Sequence, residues 1–168
     1  MSYKGFVYKF SDNINTDFII SGRYKFSITD LKELSQYIFE DIRPNFSKEI
    51  KRGKSIIVAG ENFGMGSSRE QAPWVIKEAG IICVVAKSFA RIFYRNSFNI
   101  GLPLIEADIS EICEGDLLEI DVDKGLIKDL SQNLQVRFSP WSKFQKELIR
   151  AGGIINYLEK HKGFPSEL

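Results

Sequence analysis

Short apolar runs alternate along the chain with segments of helical spacing and with clusters of turn formers, an order that predicts a mixed α/β fold. The opening KGFVYKF (Lys4 to Phe10) alternates enough for a strand, and SDNINTD after it is rich in turn and cap residues. From Thr29, TDLKELSQYIFEDI sets Leu31, Leu34, Ile38 and Ile42 near one helical face, with Thr29 or Asp30 as N-cap and the proline of RPNF as its end. KSIIVAG and IICVVAK are apolar throughout, as strands covered on both faces are. Between them Ala72, Val75, Ile76 and Ala79 recur at helical spacing, so this stretch predicts a strand, helix, strand unit with a right-handed parallel crossover.

A further helix is expected in SFARIFYRNSFN, with Phe89, Ile92 and Phe93 inward, before GLPLIEA returns to extended chain. GDLLEIDVDKGLIKDLSQNLQVRF then predicts three short antiparallel strands turning at DKG and SQN. A helix follows in SPWSKFQKELIRAGG, with Ser139 as cap, Pro140 in the first turn and Trp141, Phe144 and Leu148 on the core face, and IINYLEKH adds a last short one. The expected architecture is one domain over residues 1–168, with a parallel βαβ core and a later antiparallel section.

Composition narrows what such a domain could do. Twenty-three Lys and Arg against 22 Asp and Glu nearly cancel, with neither sign concentrated, so nucleic acid is not an expected partner. The apolar runs are too short for a membrane span, and the start MSYKGFVYKF lacks the pattern of a signal peptide; a cytoplasmic location and no membrane partner are expected. Two cysteines, Cys83 and Cys113, and one histidine, His161, are too few for a disulfide framework or a cluster of soft metal ligands. No metal site is expected in this chain.

The candidate chemistry lies in GENFGMGSSRE, Gly60 to Glu70, which leaves a buried strand and enters a helix. Open α/β sheets place ligands at that point, and glycines let backbone approach them. As a dinucleotide fingerprint the segment fails, because Arg69 stands where G-x-G-x-x-G requires its third glycine, and no lysine is placed for a phosphate loop. Helix capping by Ser67 or Ser68, with Glu70 as capping-box partner of Ser67, accounts for one serine. A serine pair flanked by glycine, helix-start amides and the Arg69 guanidinium together make an anion pocket suited to a carboxylate. Pro73 leaves the first turn of that helix weakly held, as befits a segment retained for a site. A stand-alone anion-binding or nucleotide-binding module is the reading of a different class.

Three segments, DNINTDFII (Asp12 to Ile20), GENFGMGSSRE and KSFARIFYRNSFNIGLPLI (Lys87 to Ile105), in this order and spacing resemble the small subunit of 3-isopropylmalate dehydratase, which corresponds to the mobile, swivelling β/β/α domain of aconitase. The resemblance covers the first two-thirds of the chain. It implies a half-enzyme, a hydro-lyase active only with a large subunit that holds a [4Fe–4S] cluster on three cysteines, acting on a small di- or tricarboxylate. By match to the family motif, Ser67 is the catalytic base, acting as an alkoxide stabilised by neighbouring amides and positive charge. Arg69 has the planar fork for a substrate carboxylate, and Ser68 is expected to bind substrate too. Gly66 supports the loop. Asp17 either orients site groups or makes an Asx turn, and Arg91 is expected in a scaffold or interface ion pair.

In this family the loop after NTDFII sets substrate choice. Here it reads SGRYKFSITD, Ser21 to Asp30, where family members carry Arg-Tyr-Leu and one residue fewer. Arg23 and Lys25 would suit the extra carboxylate of homoaconitate or citrate, and Phe26 or Ile28 an isopropyl group. The resemblance implies isopropylmalate as the substrate, by its frequency in the family, while these residues leave homoaconitate, citraconate and methylated malates such as dimethylmalate open. Exposed aromatics such as Tyr94, Phe98 or Trp141 are candidates for a partner surface, with core packing as their alternative.

Overall fold

In a computed structural model, residues 1–163 are described; the expected single domain over 1–168 includes residues 164–168, which lie outside the described residues. Seven strands run β1 (Ser2–Lys9), β2 (Ser55–Ala59), β3 (Ile81–Ala86), β4 (Leu104–Glu106), β5 (Leu117–Asp121), β6 (Leu126–Asp129) and β7 (Leu134–Arg137). The helices are α1 (Thr16–Ile19), α2 (Gly22–Lys25), α3 (Leu31–Leu34), α4 (Phe46–Glu49), α5 (Gln71–Glu78), α6 (Arg91–Ile100), α7 (Lys143–Ala151) and α8 (Ile154–His161).

All seven strands join one sheet in the order β4-β3-β2-β1-β5-β6-β7. β1 pairs parallel with β2 and antiparallel with β5, so it is the seam between a parallel half and an antiparallel half. β2 and β3 are wholly or almost wholly buried, which is why their sequences show no alternation, whereas β5 alternates buried and half-buried positions. The expected βαβ unit is β2-α5-β3, with Ala72, Val75 and Ile76 buried.

Several expectations of detail are corrected. The helix expected over Thr29 to Ile42 is one α turn capped by Asp30, then a 3₁₀ turn over Ser35–Tyr37. Phe39 takes a positive φ of 55° and is fully buried beside the equally buried Ile38. Its ring stacks on Phe10 at 4.3 Å and meets Phe46 edge-on at 5.5 Å. A continuous helix would turn Phe39 out with the polar face, and burying both residues ends it. On α6, Phe89 and Phe93 face the core as expected, but Ile92 is 55% exposed. Phe98 and Trp141 are buried and meet edge-on, and Tyr94 is half-buried and accepts from Gln145; their role is core packing.

The cap of α7 is Ser142, not Ser139. Its hydroxyl accepts from the Gln145 amide while the Gln145 side chain accepts from the Ser142 amide, a complete capping box. Ser142→Ala is therefore expected to lower the unfolding free energy by about 1 kcal/mol in urea titrations. Ser139→Ala, at an exposed position outside the helix, should leave it unchanged; equal effects would contradict this assignment.

Candidate active site

Because β1, β2 and β3 are parallel neighbours, their carboxyl ends lie side by side, and the loops leaving them carry the three sequence motifs. The loops are laced together by backbone hydrogen bonds. The Gly64 amide donates to Ile14 O at 2.7 Å, the Thr16 amide to Met65 O at 2.8 Å, and the Phe63 amide to Ser88 O at 3.0 Å. Asp12 adds a side-chain tie, accepting from the Glu61 amide at 2.8 Å.

The outcome is an open cleft of about 520 Å³ between the Gly64–Arg69 loop and the first two turns of α6. Ser67 and Ser68 are solvent-exposed at its edge. The Ser67 carbonyl is clamped from two sides, by Thr16 Oγ1 at 2.9 Å and by the Arg69 amide at 2.7 Å. Thr16 Oγ1 also lies 3.4 Å from Ser67 Oγ, so the Thr16 hydroxyl hydrogen can face either oxygen. Thr16 is itself buried and rigidly placed.

Arg69 is mostly buried. Its guanidinium donates through Nη1 to Ile20 O at 2.8 Å and forms an ion pair through Nη2 with Asp17. That pair gives Asp17 an orienting contact, which the sequence left balanced against an Asx turn; the Asx-type acceptor here is Asn15, whose side chain takes the Phe18 amide at 2.8 Å. The remaining N–H groups of Arg69 have no acceptor among the described residues.

Three features of the loop differ from the sequence reading. Neither serine caps a helix: α5 begins at Gln71 with Glu70 in the cap position and no side-chain cap. The helix-start amides beside Ser67 are those of Ser68 and Arg69; the Arg69 amide is spent on the Ser67 carbonyl, and only the Ser68 amide lacks an acceptor among the described residues. Pro73 is the third residue of α5, where no intrahelical partner is required of its nitrogen, and the Arg69 carbonyl accepts from Ala72 at 3.1 Å.

Arg91 lines the cleft and is joined one turn on by Arg95, a residue that sequence reasoning did not single out. Neither has a carboxylate partner within 4 Å among the described residues, so the expected ion pair of Arg91 is not formed among them. With Arg69 they set three guanidinium groups around the cleft, and among the described residues no carboxylate lines it. The i, i+4 spacing of Arg91 and Arg95 was the available signal, and for Thr16 it was its place beside Asp17.

Arg23 and Lys25, on α2, do not line the cleft. Arg23 is ion-paired with Asp41 and lies 4.6 Å from the Tyr24 ring centre. The start of α2 nevertheless abuts the site, since a Cβ added at Gly22 would lie 3.4 Å from the Phe26 ring and 3.8 Å from Arg69 Nη2.

The metal donors of this chain do not fit an iron–sulfur cluster. Cys83 is enclosed within β3, where burial pushes its thiol pKa up, and the exposed Cys113 stands apart from it at the entry to β5. Among the described residues no three His, Cys, Asp or Glu side chains group as metal ligands, and no helix is long and apolar enough to cross a membrane.

A domain with this half-parallel sheet and a serine-serine-arginine loop at its strand ends is of the aconitase class of hydro-lyase domains. The Aconitase C-terminal domain family matches residues 9–108. The 3-isopropylmalate dehydratase small subunit 1 of Thermotoga maritima is 52% identical over 163 residues, 96% of this chain and 98% of that protein. The small subunit from Brachyspira hyodysenteriae is 48% identical over 165 residues, 97% of this chain and all of that one. A crystal structure of 3-isopropylmalate dehydratase from Methanocaldococcus jannaschii superposes with a TM-score of 0.91 at 48% identity, covering 96% of both chains. The chain belongs to the 3-isopropylmalate dehydratase small-subunit family.

Proposed function

We propose that the chain, as one domain of 168 residues in the cytoplasm, is the small subunit of 3-isopropylmalate dehydratase. In this reading it interconverts 2- and 3-isopropylmalate through an alkene, against a large subunit that carries the [4Fe–4S] cluster. The observation that carries the proposal is Ser67: exposed at the edge of an acid-free, arginine-lined cleft, with its main chain clamped in place.

The difficult part assigned to this chain is removal of a proton from carbon beside a carboxylate. Ser67 Oγ, as an alkoxide, takes that proton; the C–H electron pair becomes the second bond of the alkene as the hydroxyl on the neighbouring carbon departs as hydroxide, for which the large subunit's cluster would supply the Lewis acidity. Rehydration with the opposite regiochemistry returns the proton from Ser67. An unaided serine is far too weak an acid to supply the alkoxide, so the charge must be stabilised by donors already in place. Thr16 can turn its hydroxyl hydrogen from the Ser67 carbonyl to Oγ, and the Ser68 amide and the three guanidinium groups add positive potential.

Arg69, held by Asp17 and the Ile20 carbonyl, presents its free N–H edge to one substrate carboxylate. Arg69→Lys keeps the charge and loses the fork, so kcat/KM of the reconstituted enzyme is expected to fall about 10- to 100-fold, the worth of one or two charge-assisted hydrogen bonds. An unchanged value would remove Arg69 from substrate binding.

For the side group, Arg23 is already matched by Asp41, whereas Phe26 is exposed and packs beside Gly22 at the flank of Arg69. The pairing of Arg23 and the exposed Phe26 ring, with Lys25 Nζ held 5.7 Å from its centre, favour an apolar substituent over a third carboxylate. Purified chain mixed with its cluster-loaded large subunit should turn over isopropylmalate faster than homoaconitate, citraconate or dimethylmalate, and neither subunit alone should act. Preference for homoaconitate would overturn the substrate assignment.

A further inference from the structure

The cleft around Ser67 continues into a second groove of about 470 Å³ between α5, α6 and α8, and Asn96 lines both. This second groove carries apolar side chains that the fold leaves uncovered. Trp74 is 38% exposed and Ile155 69% exposed, and Ile92, 55% exposed, stands on the wall of the first cleft. Helices of a monomeric domain ordinarily turn such residues inward, and α8 does so at Tyr157, which is buried, while Ile155 points out. Glu70, Asn99 and Asn156 rim the groove with polar groups, giving an apolar centre inside a polar margin.

We propose that this groove docks the large subunit, taking an apolar projection of that chain between Trp74 and Ile155. The inference rests on the function proposed above, because it commits to the partner that completes the Ser67 site. Continuity decides the occupant. A chain that closes over the Ser67 cleft meets its α6 wall, from which this groove opens at Asn96 and another at Arg91 and Arg95; of the two, this groove is the one lined by large exposed apolar side chains, Trp74 and Ile155. An interface confined to the cleft mouth would also be small beside the roughly 800 Å² per partner of a stable complex, and the groove supplies further surface of the right chemistry. Tryptophan in such a pocket is a favoured anchor.

The proposal predicts separate effects on assembly and on chemistry. Ile155→Glu and Trp74→Ser should each raise the Kd for the purified large subunit about 10- to 100-fold in sedimentation or calorimetric titrations. At saturating large subunit, kcat of the Ile155→Glu enzyme should equal that of the unaltered one, since Ile155 lies outside the Ser67 cleft. Leu130→Glu, at an exposed apolar position after β6, is the control and should bind as the unaltered chain does. Hydrogen exchange gives a measurement without substitution, with α8 amides expected to slow when the large subunit is added. Unaltered Kd in both variants, or α8 exchange untouched by a partner that binds, would overturn the inference. Failure of the unaltered chain to bind the large subunit at all would instead overturn the proposed function.

Discussion

Replacing Ser67 by Ala is expected to lower kcat of the reconstituted enzyme by about 10³-fold or more, near 4 kcal/mol of transition-state stabilisation, with assembly and folding intact. The prediction is large because no carboxylate or imidazole lines the cleft among the described residues, and of the two other hydroxyls there Thr16 is held on the Ser67 carbonyl and Ser68 lacks the Thr16 contact that Ser67 Oγ makes. It is clean because little structure depends on the hydroxyl. The one hydrogen-bond partner of Ser67 Oγ among the described residues is Thr16 Oγ1 at 3.4 Å, whereas the clamp on the loop runs through the Ser67 carbonyl, which alanine retains. Steady-state rates at saturating large subunit, together with thermal unfolding of the isolated chain, test it. A fall of only a few-fold, with normal folding, would move the base elsewhere.

The second large effect is structural and concerns Gly64. Its φ of +79° is a left-handed conformation, and a Cβ placed there would come within 2.2 Å of Phe93 Cγ. Phe93 cannot yield, since its ring is buried edge-on to Phe63 at 5.3 Å and parallel to Phe89 at 6.4 Å. Gly64→Ala should therefore lose about 1–2 kcal/mol to backbone strain and a further 1–3 kcal/mol to overpacking. It should also displace the serine loop. Gly66 offers the comparison: its φ is +96°, but an added Cβ would first meet atoms at 3.6 Å, an ordinary contact. Urea unfolding should rank Gly64→Ala well below Gly66→Ala in stability, and equal losses would show that the Phe93 contact relaxes freely.

The strands and the loop that borders the cleft were legible because their signals are local. Continuous apolar runs marked β2 and β3, turn residues marked the β5-β6-β7 meander, and the glycine-serine-arginine loop announced itself by composition. Features decided by distant partners were not. Nothing in the sequence near Phe39 signals that Phe10 and Phe46 will bury it and end the helix. Helical spacing turned Ile92 inward when Phe89 and Phe93 already fill that face, and the two serines of Ser-Pro-Trp-Ser, Ser139 and Ser142, hid which one caps α7. The Asp17–Arg69 pair spans 52 residues, and Thr16 reaches Ser67 across 51; such contacts follow from the side-by-side ends of β1 and β2. The role of Arg95 was hidden for a simpler reason: an exposed arginine on a helix is ordinarily a solvated one.

The base is tested most directly by a single turnover. Substrate carrying deuterium on the carbon that loses its proton is mixed with excess assembled enzyme, and alkene formation is followed by rapid quench. With Ser67 in place the deuterated substrate should form alkene several-fold more slowly than the protiated one, and with Ser67→Ala neither should form it although both bind. Alkene appearing in the alanine enzyme at the unaltered rate, with the same isotope effect, would contradict the account.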